Sequence, residues 1–156
     1  MNPPSRFLLF WARCRSCGHE WKTLSDPGDG RYRILLGGAN NSVGYVDTIE
    51  DSAFSEVYRL VEQALGPDTP LADRLDAFDG VFGLICDMNP DGSHFDMSGK
   101  RRCIRCGSTS VDFGPTEPPE YAELIPVQVT HERWDNLTEK QKHKEILERL
   151  AVLRKK

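Results

Sequence analysis

The sequence of 156 residues has no long hydrophobic run. Its longest uninterrupted apolar stretch, residues 7–12, contains six residues and ends before Arg13. A membrane-spanning helix needs about 20 apolar residues, and the apolar core of a secretory signal needs about 7–15. We therefore expect a cytoplasmic protein that has no association with a membrane.

Positive charge is also in short supply over the chain as a whole. The formal net charge is −4, so bulk electrostatics do not indicate a nucleic-acid-binding domain. Apolar residues make up only 38% of the chain, but three tryptophans, four tyrosines and seven phenylalanines argue against general disorder. At this length we expect one domain, or a small module that carries an insertion.

There are only five cysteines, but four of them form two copies of one motif. Residues 14–18 read CRSCG and residues 103–107 read CIRCG. Such spacing lets a tight turn direct two thiolates at one ion, and the glycine that follows suits a left-handed backbone position. Two turns that face each other complete a tetrahedral site with four sulfur ligands. We predict that one Zn²⁺ ion is bound by Cys14, Cys17, Cys103 and Cys106.

Other interpretations of these cysteines stay open at the level of sequence. The four cysteines would form two disulfides only in an oxidising compartment. A redox-active C-x-x-C pair is a second alternative, although one copy would be enough for it. The third is that the cysteines are unrelated residues of the core, which would leave their regular spacing unexplained. Iron is a variant of the metal prediction, because sulfur ligands alone do not exclude it. Since four protein ligands leave no coordination position open, we predict that the zinc is structural and that its binding energy contributes to folding.

The two motifs resemble the knuckles of the zinc-ribbon, rubredoxin-like family, over residues 7–23 and 98–113. Compact ribbons separate their cysteine pairs by about 15–20 residues, whereas 85 residues, 18–102, intervene here. The expected fold class is α+β: a four-cysteine zinc ribbon interrupted by a small α+β insertion and followed by a C-terminal helix. The expected divisions are a split ribbon at 6–24 and 98–113, an insertion at 31–97, a linker at 114–125 and a helical segment at 126–156.

Strands are expected at three places in the insertion. Residues 31–36 and 43–47 are predicted to pair through a hairpin loop that is rich in glycine and asparagine. The apolar segment 81–86, which follows Gly80, is interpreted as a buried strand.

Helices are expected before that segment and at the end of the chain. One is capped by Asp51 or Ser52 and runs to Leu65, because apolar residues recur there at helical spacing. A shorter helix follows it. Thr138 and Gln141 match a capping box at the start of a C-terminal helix.

Charge is segregated along the sequence. Residues 1–22 contain four basic residues and one acidic residue, as do residues 100–113, whereas residues 23–99 contain fourteen acidic and four basic residues. The cations near the cysteines either offset the negative charge of a metal held by thiolates, or contact the phosphates of a nucleic acid, or face an acidic partner protein or the acidic insertion itself. Trp11, His19 and Trp21 would add stacking surface. The candidate nucleic-acid-binding residues are Arg13, Arg15, Lys100, Arg101, Arg102 and Arg105.

The signals for catalysis are weaker. Cys86 is a candidate nucleophile with His94 as its base. Residues 87–98 partly match a calcium-binding loop, but a proline lies inside it and Ser98 stands where the final glutamate belongs. Carboxylates that would line a catalytic cleft in the insertion are Asp47, Asp87 and Asp91.

The leading functional hypothesis is a binding or adaptor protein with a structural zinc ion and a protein partner. The first alternative is a nucleic-acid-binding ribbon that uses the basic residues of the knuckles. The second alternative is an enzyme whose site lies in the insertion, although the sequence leans away from catalysis. The sequence does not predict an oligomeric state.

Overall fold

The computed structural model describes residues 5–25, 30–37, 43–97, 102–103 and 105–154. The predicted hairpin loop, at 38–42, and the candidate cations Lys100 and Arg101 lie outside the described residues. Strands and helices are both present, which confirms the α+β class. The elements are β1 (Ser5–Cys14), β2 (Glu20–Leu24), β3 (Tyr32–Leu36), β4 (Val43–Asp47), α1 (Ser52–Leu65), α2 (Leu71–Ile85), β5 (Val111–Pro115), β6 (Tyr121–Leu124), β7 (Val127–Gln128), α3 (Glu132–Asp135) and α4 (Glu139–Arg154).

Strands β1, β2, β5 and β6 form a four-stranded sheet, which we call the ribbon sheet, and β1 lies at its centre. Strand β1 pairs antiparallel with β2 on one edge and with β5 and β6 on the other. The oxygen of Leu8 accepts from the amide of Ser25, just after β2, whereas the amide of Leu9 donates to the oxygen of Glu120, just before β6. Because neighbouring residues of a strand direct their backbone groups to opposite edges, β6 continues the line of β5 along β1.

A second, three-stranded sheet has the order β3-β4-β7. Strands β3 and β4 are antiparallel, and β7 runs parallel to β4. The amide and carbonyl of Leu36 both bond to Asp96, which attaches the chain ahead of the second knuckle to this sheet.

Helices α1, α2 and α4 pack together over the main core, and we call them the helical layer. Phe78 and Phe82 of α2 stack on each other and meet the edge of Phe54 from α1. Ile146 of α4 and Trp134 of α3 are buried in the same cluster. The indole of Trp134 donates to Glu56 Oε1 at 2.7 Å, so this large side chain is buried with its polar atom satisfied.

A smaller apolar cluster joins the ribbon to the second sheet. Phe7 of β1 and Leu24 of β2 are buried against Ile34, Val43 and Tyr45 of β3 and β4. Since these ribbon residues lie at the end of the strands remote from the cysteines, the cysteine end of the ribbon projects beyond this contact.

The interpretation of residues 81–86 as a strand is wrong. Helix α2 continues through Gly80 to Ile85, and Cys86 is its C-cap. A short run that is buried on all sides looks the same in sequence whether it is a strand or a helix. Gly83 within the run and Gly80 just before it are used for close packing, because an added Cβ would lie 2.1 Å from the oxygen of Phe95 at Gly83 and 2.9 Å from the side chain of Leu153 at Gly80.

Two other helix predictions are confirmed. The side chain of Asp51 accepts from the amide of Phe54 and caps α1, which ends at Leu65. Thr138 and Gln141 exchange the two hydrogen bonds of a capping box in front of α4.

The segment predicted as a linker, residues 114–125, is partly strand. Strand β5 includes Gly114 and Pro115, and β6 occupies Tyr121–Leu124. Both pair with β1, which is long enough to hold two short partners in line. Within the described part of the chain, no helix is long and apolar enough to span a bilayer.

Candidate metal centre

Four sulfur atoms converge at the free end of the ribbon. The Sγ atoms of the four motif cysteines all lie within 4.8 Å of one another. Two of the contacts join the two motifs: Cys14 to Cys106 and Cys17 to Cys103, both at 3.6 Å. Sulfur ligands of a tetrahedral zinc ion lie about 3.8 Å apart, given Zn–S bonds of about 2.3 Å. The arrangement is therefore compatible with the predicted zinc-ribbon site.

The two knuckles have the same backbone geometry. The amide of Gly18 bonds to the oxygen of Cys14 at 2.9 Å, and that of Gly107 bonds to the oxygen of Cys103 at 2.9 Å. Both glycines have a φ of +76°, a left-handed conformation that other residues adopt only with strain. The left-handed position predicted for the glycines is thereby confirmed, while their amides bond to carbonyl oxygens and the amides of Cys17 and Cys106 point at the sulfurs.

The ribbon sheet brings these knuckles together. The first knuckle begins at Cys14, the last residue of β1, and the second ends shortly before Val111, the first residue of β5. Cys14 and Val111 are direct partners across the two strands. The amide of Arg15 also donates to the oxygen of Ser110 at 2.8 Å. Strand pairing therefore places two motifs that are remote in sequence side by side.

Backbone amides prepare two of the thiols for ionisation. The amide of Cys17 points at Cys14 Sγ from 3.5 Å and lowers the pKa of Cys14 to about 6. Desolvation opposes ionisation of Cys103, but the amides of Cys106 and Arg105 outweigh it and lower the pKa of that thiol. Thiolates are the form that binds a metal.

The fourth thiol is held protonated by its neighbours. The Ser108 backbone favours the thiolate of Cys106, but desolvation and hydrogen bonds with the other three cysteines together raise the pKa of Cys106 to about 12. A divalent cation among the sulfurs would reverse this balance by favouring every thiolate. The set of donors suits a soft or borderline ion such as Zn²⁺, with all four positions supplied by the protein.

The basic residues of the first knuckle are paired with carboxylates. Arg15 lies 3.1 Å from Asp112, and Arg13 lies 3.9 Å from Glu20. These pairs are exposed, and their acidic members come from β2 and β5 of the same sheet. Arg13 and Arg15 are thus each paired with a carboxylate.

The second knuckle contains one buried and one exposed arginine. Arg102 forms an ion pair with Asp76 of α2 and donates to the oxygen of Gly107 at 3.3 Å. Its side chain is only 19% exposed, so it attaches the knuckle to the helical layer. Arg105 is exposed, and no ion pair connects it with a carboxylate among the residues that the structure describes.

The aromatic residues near the metal centre divide between two faces of the ribbon. Trp11 lies against Gly114, where an added Cβ would be 3.4 Å from Trp11 Nε1. Trp21 and Phe113 are both direct partners of Ala12 and therefore share the opposite face. His19 stacks on Trp21 with ring centroids 5.6 Å apart.

Phe10 and Phe113 are functional candidates that the sequence reasoning missed. Phe10 lies on the same face of β1 as Ala12, and its ring stacks on Phe113 at a centroid distance of 6.3 Å. We call the surface formed by Phe10, Trp21 and Phe113 the aromatic face. The alternation of side chains along a strand would have placed Phe10 and Trp11 on opposite faces of β1. The contact of Phe10 with Phe113 of β5, however, depends on the register between the two strands.

The predicted nucleophile and base are not brought together. Cys86 is buried at the end of α2, its Sγ lies 3.4 Å from the oxygen of Phe82, and burial raises the pKa of its thiol. His94 is exposed, and no hydrogen bond joins it to Cys86 within the described ranges. A buried thiol with a raised pKa is the opposite of an activated cysteine.

The three candidate carboxylates serve local structure at separate places. Asp87 accepts from the amides of Glu132 and Arg133 and so caps α3. Asp47 accepts from the guanidinium of Arg31 at 2.8 Å. Asp91 accepts from the amide and hydroxyl of Ser93 in its own turn.

The four motif cysteines form a candidate metal site. Among the described residues, no other group of three or more histidine, cysteine or acidic side chains brings its ligand atoms together in this way. Asp87 and Asp91 of the partial calcium motif do not form such a cluster there.

Comparison of the chain with protein-family models, curated proteins and solved structures finds no match. The likeness to zinc ribbons therefore rests on the four sulfur atoms and on the equal geometry of the two knuckles. These observations support a four-cysteine metal-binding site.

Proposed function

We propose that this chain is a cytoplasmic binding protein whose fold is stabilised by one structural Zn²⁺ ion. The observation that carries the proposal is the convergence of four sulfur atoms from two matching knuckles. A site with four protein ligands has no position for water or substrate, so its contribution is to stability rather than to chemistry.

The position of the site supports a structural role for the metal. The two knuckles bracket residues 18–102, and Arg102 links the second knuckle to Asp76 on α2. A metal ion that holds the knuckles together would therefore act on the ribbon and, through this ion pair, on the helical layer.

The metal content of the purified protein tests the proposal. We expect elemental analysis to find one zinc per chain and cobalt substitution to produce the absorption of a tetrahedral thiolate site. Cys103→Ser should lose the metal, whereas Cys86→Ser, a matched change outside the site, should keep it. One iron per chain would contradict the assignment of zinc, and a chain without any stoichiometric metal would contradict the site itself.

We further propose that the aromatic face binds a protein partner. The two rows that cross this face, Trp21 to Phe113 and Thr23 to Pro115, contain no charged residue. Phe113 is 51% exposed although it is a large apolar side chain. Exposed apolar surface of this kind is typical of protein interaction sites.

A pair of variants tests this surface. We expect the tagged protein to retain one partner in stoichiometric amount, and Phe113→Ser to lose it while the zinc content stays unchanged. Trp11→Ser is the matched control, because Trp11 is 42% exposed on the opposite face. Loss of the partner from both variants, or from neither, would contradict the assignment of the aromatic face.

Nucleic acid is the second candidate partner, because rings on a sheet can stack with unpaired bases. Against it, Arg13, Arg15 and Arg102 are already paired with carboxylates. If this candidate is correct, a labelled single-stranded oligonucleotide should bind at low salt and dissociate as salt is raised, and Arg105→Glu should weaken the binding. Absence of binding at low salt would remove it.

A further inference from the structure

A groove lies where the second knuckle meets α2 and the last turns of α4. Its volume is about 470 Å³, within the range of about 300–1,000 Å³ that is usual for small-molecule sites. We call it the knuckle groove and define it by Gly80, Leu84, Arg102, Arg105, Arg149 and Leu153.

Two arginines of the knuckle groove are not fully neutralised by carboxylates. Arg105 is exposed, and no carboxylate in the described part of the chain pairs with it. Arg149 lies 3.6 Å from Glu145, but Arg133 already binds both oxygens of that carboxylate, at 2.9 and 2.7 Å. One carboxylate therefore serves two guanidinium groups, which leaves Arg149 only partly neutralised.

A buried donor in the groove lacks an acceptor. Two nitrogens of Arg102 bond to Asp76 and to the oxygen of Gly107. Its Nε is buried and has no hydrogen-bond acceptor among the described residues. An acceptor that reached this nitrogen would gain a hydrogen bond that the described residues do not supply.

Two acidic residues line the groove. Asp79 is 3% exposed and pairs with Arg33 at 3.4 Å. Asp96 is half-buried, and its backbone is bonded to Leu36. Since Arg33 pairs with Asp79, the described lining sets the charges of Arg105 and Arg149 against the carboxylate of Asp96.

Part of the wall is apolar, while His94 and the motif cysteines Cys103 and Cys106 also line the groove. Gly80 has no side chain, and Leu84 and Leu153 lie beside it. Val152 is 54% exposed at the rim. Such a surface fits a hydrocarbon or aromatic group next to the arginines.

We propose that the knuckle groove binds a small amphipathic anion, in which an apolar body carries a phosphate or carboxylate group. Arg105 and Arg149 contact the anionic group, since guanidinium groups bind both oxyanions through paired hydrogen bonds. The apolar body lies against Leu84 and Leu153. This site is separate from the aromatic face, so it does not depend on the protein partner proposed there.

Calorimetric titration of the intact, metal-loaded protein at constant ionic strength tests the site. The probes are phenyl phosphate and benzoate, and benzyl alcohol is the neutral control. We expect saturable binding of at least one anion with a stoichiometry of one, and none of the alcohol. The tighter of the two anions identifies the anionic group.

Matched variants locate the binding. Arg105→Gln and Arg149→Gln should each raise the dissociation constant of the anion about tenfold or more, because a hydrogen bond to a charged group contributes about 1.5–3 kcal/mol. Arg59→Gln, an exposed arginine of α1 outside the groove, should change nothing. Melting temperatures check that each variant is folded.

Two results would overturn the proposal. The first is the absence of saturable binding by both anions. The second is unchanged affinity in both groove variants, including the case in which Arg105→Gln lowers only the retention of zinc. In that case Arg105 serves the charge of the metal centre and not a ligand.

Discussion

At the scale of single residues, two cysteines show how their surroundings decide their chemistry. The amide of Cys17 lowers the pKa of Cys14 to about 6 at the tip of the ribbon. Burial at the end of α2 raises the pKa of Cys86, which leaves it an apolar residue of the core. The same side chain is thus prepared for a metal in one place and kept inert in the other.

Cys103→Ser should therefore affect the molecule far more than Cys86→Ser. Loss of a thiolate from the four-sulfur site should remove the metal and lower the free energy of unfolding by about 3 kcal/mol or more. Cys86→Ser should keep the metal, because Cys86 is not among the four converging thiols and its Sγ donates to the helix carbonyl of Phe82. Thermal unfolding with parallel metal analysis measures both, and a Cys103→Ser protein that keeps its metal would contradict the site.

Asp51 is a residue whose charge should make stability depend on pH. Burial opposes its ionisation, but bonds from the ring of His131, at 2.7 Å, and from the Phe54 amide outweigh burial and lower its pKa. A lowered pKa gives stability that is complete above the unfolded value of about 3.9 and is lost as pH falls through the folded value.

We expect Asp51→Ala to cost about 1–3 kcal/mol at neutral pH, since it removes the cap and the contact with His131. Asp51→Asn keeps a good capping side chain and should cost less. In both variants the loss of stability between about pH 4 and pH 2 should be smaller than in the wild type. Urea unfolding over this range measures the difference, and parallel curves would exclude the role of Asp51.

At the scale of elements, α2 is the helix that the local pattern conceals. Its second half is buried on all sides, so that no amphipathic period marks it. Gly80 and Gly83 let α4 and the Phe95 backbone approach the helix closely. Glycine is therefore used here for packing and does not end the helix.

Gly83→Ala and Gly80→Ala should lower the free energy of unfolding by different amounts, because the first added Cβ meets backbone and the second meets a flexible side chain. A Cβ on Gly83 would meet the Phe95 oxygen at 2.1 Å, so we expect a loss of about 2 kcal/mol or more. A Cβ on Gly80 would meet the end of the flexible Leu153 side chain at 2.9 Å. There the gain of about 1 kcal/mol in helix propensity should offset most of the cost. Chemical denaturation compares them, and equal losses would contradict this packing.

At the scale of the whole molecule, an apolar cluster and an ion pair help to join the ribbon to the rest of the described structure. The cluster around Phe7 and Tyr45 packs the base of the ribbon on the second sheet. The ion pair between Arg102 and Asp76 connects the second knuckle with α2. The metal centre and the helical layer are thereby mechanically connected at one partly buried contact.

A double-mutant cycle on Arg102→Gln and Asp76→Asn should measure this connection. We expect a coupling of about 1 kcal/mol, because both side chains are mostly removed from solvent and in contact. The zinc content should not change in any member of the cycle. Additive effects of the two substitutions on the free energy of unfolding would show that the ion pair does not join the two parts.

Much of the molecule follows from short stretches of sequence. The cysteine motifs with their glycines, the capped starts of α1 and α4, and the strands β3 and β4 were all predicted from local patterns. The split of the ribbon by an insertion follows from the distance between the motifs, although its exact boundaries stay a prediction.

The sequence by itself determined which four cysteines converge and the α+β class, because turn chemistry and apolar periodicity act over a few residues. Only the tertiary structure decided that residues 81–85 are helical, that β6 extends the edge of β5, and that Arg13, Arg15 and Arg102 are paired. Those outcomes depend on contacts with elements such as β5 and α4, and no local pattern specifies which distant residues will meet.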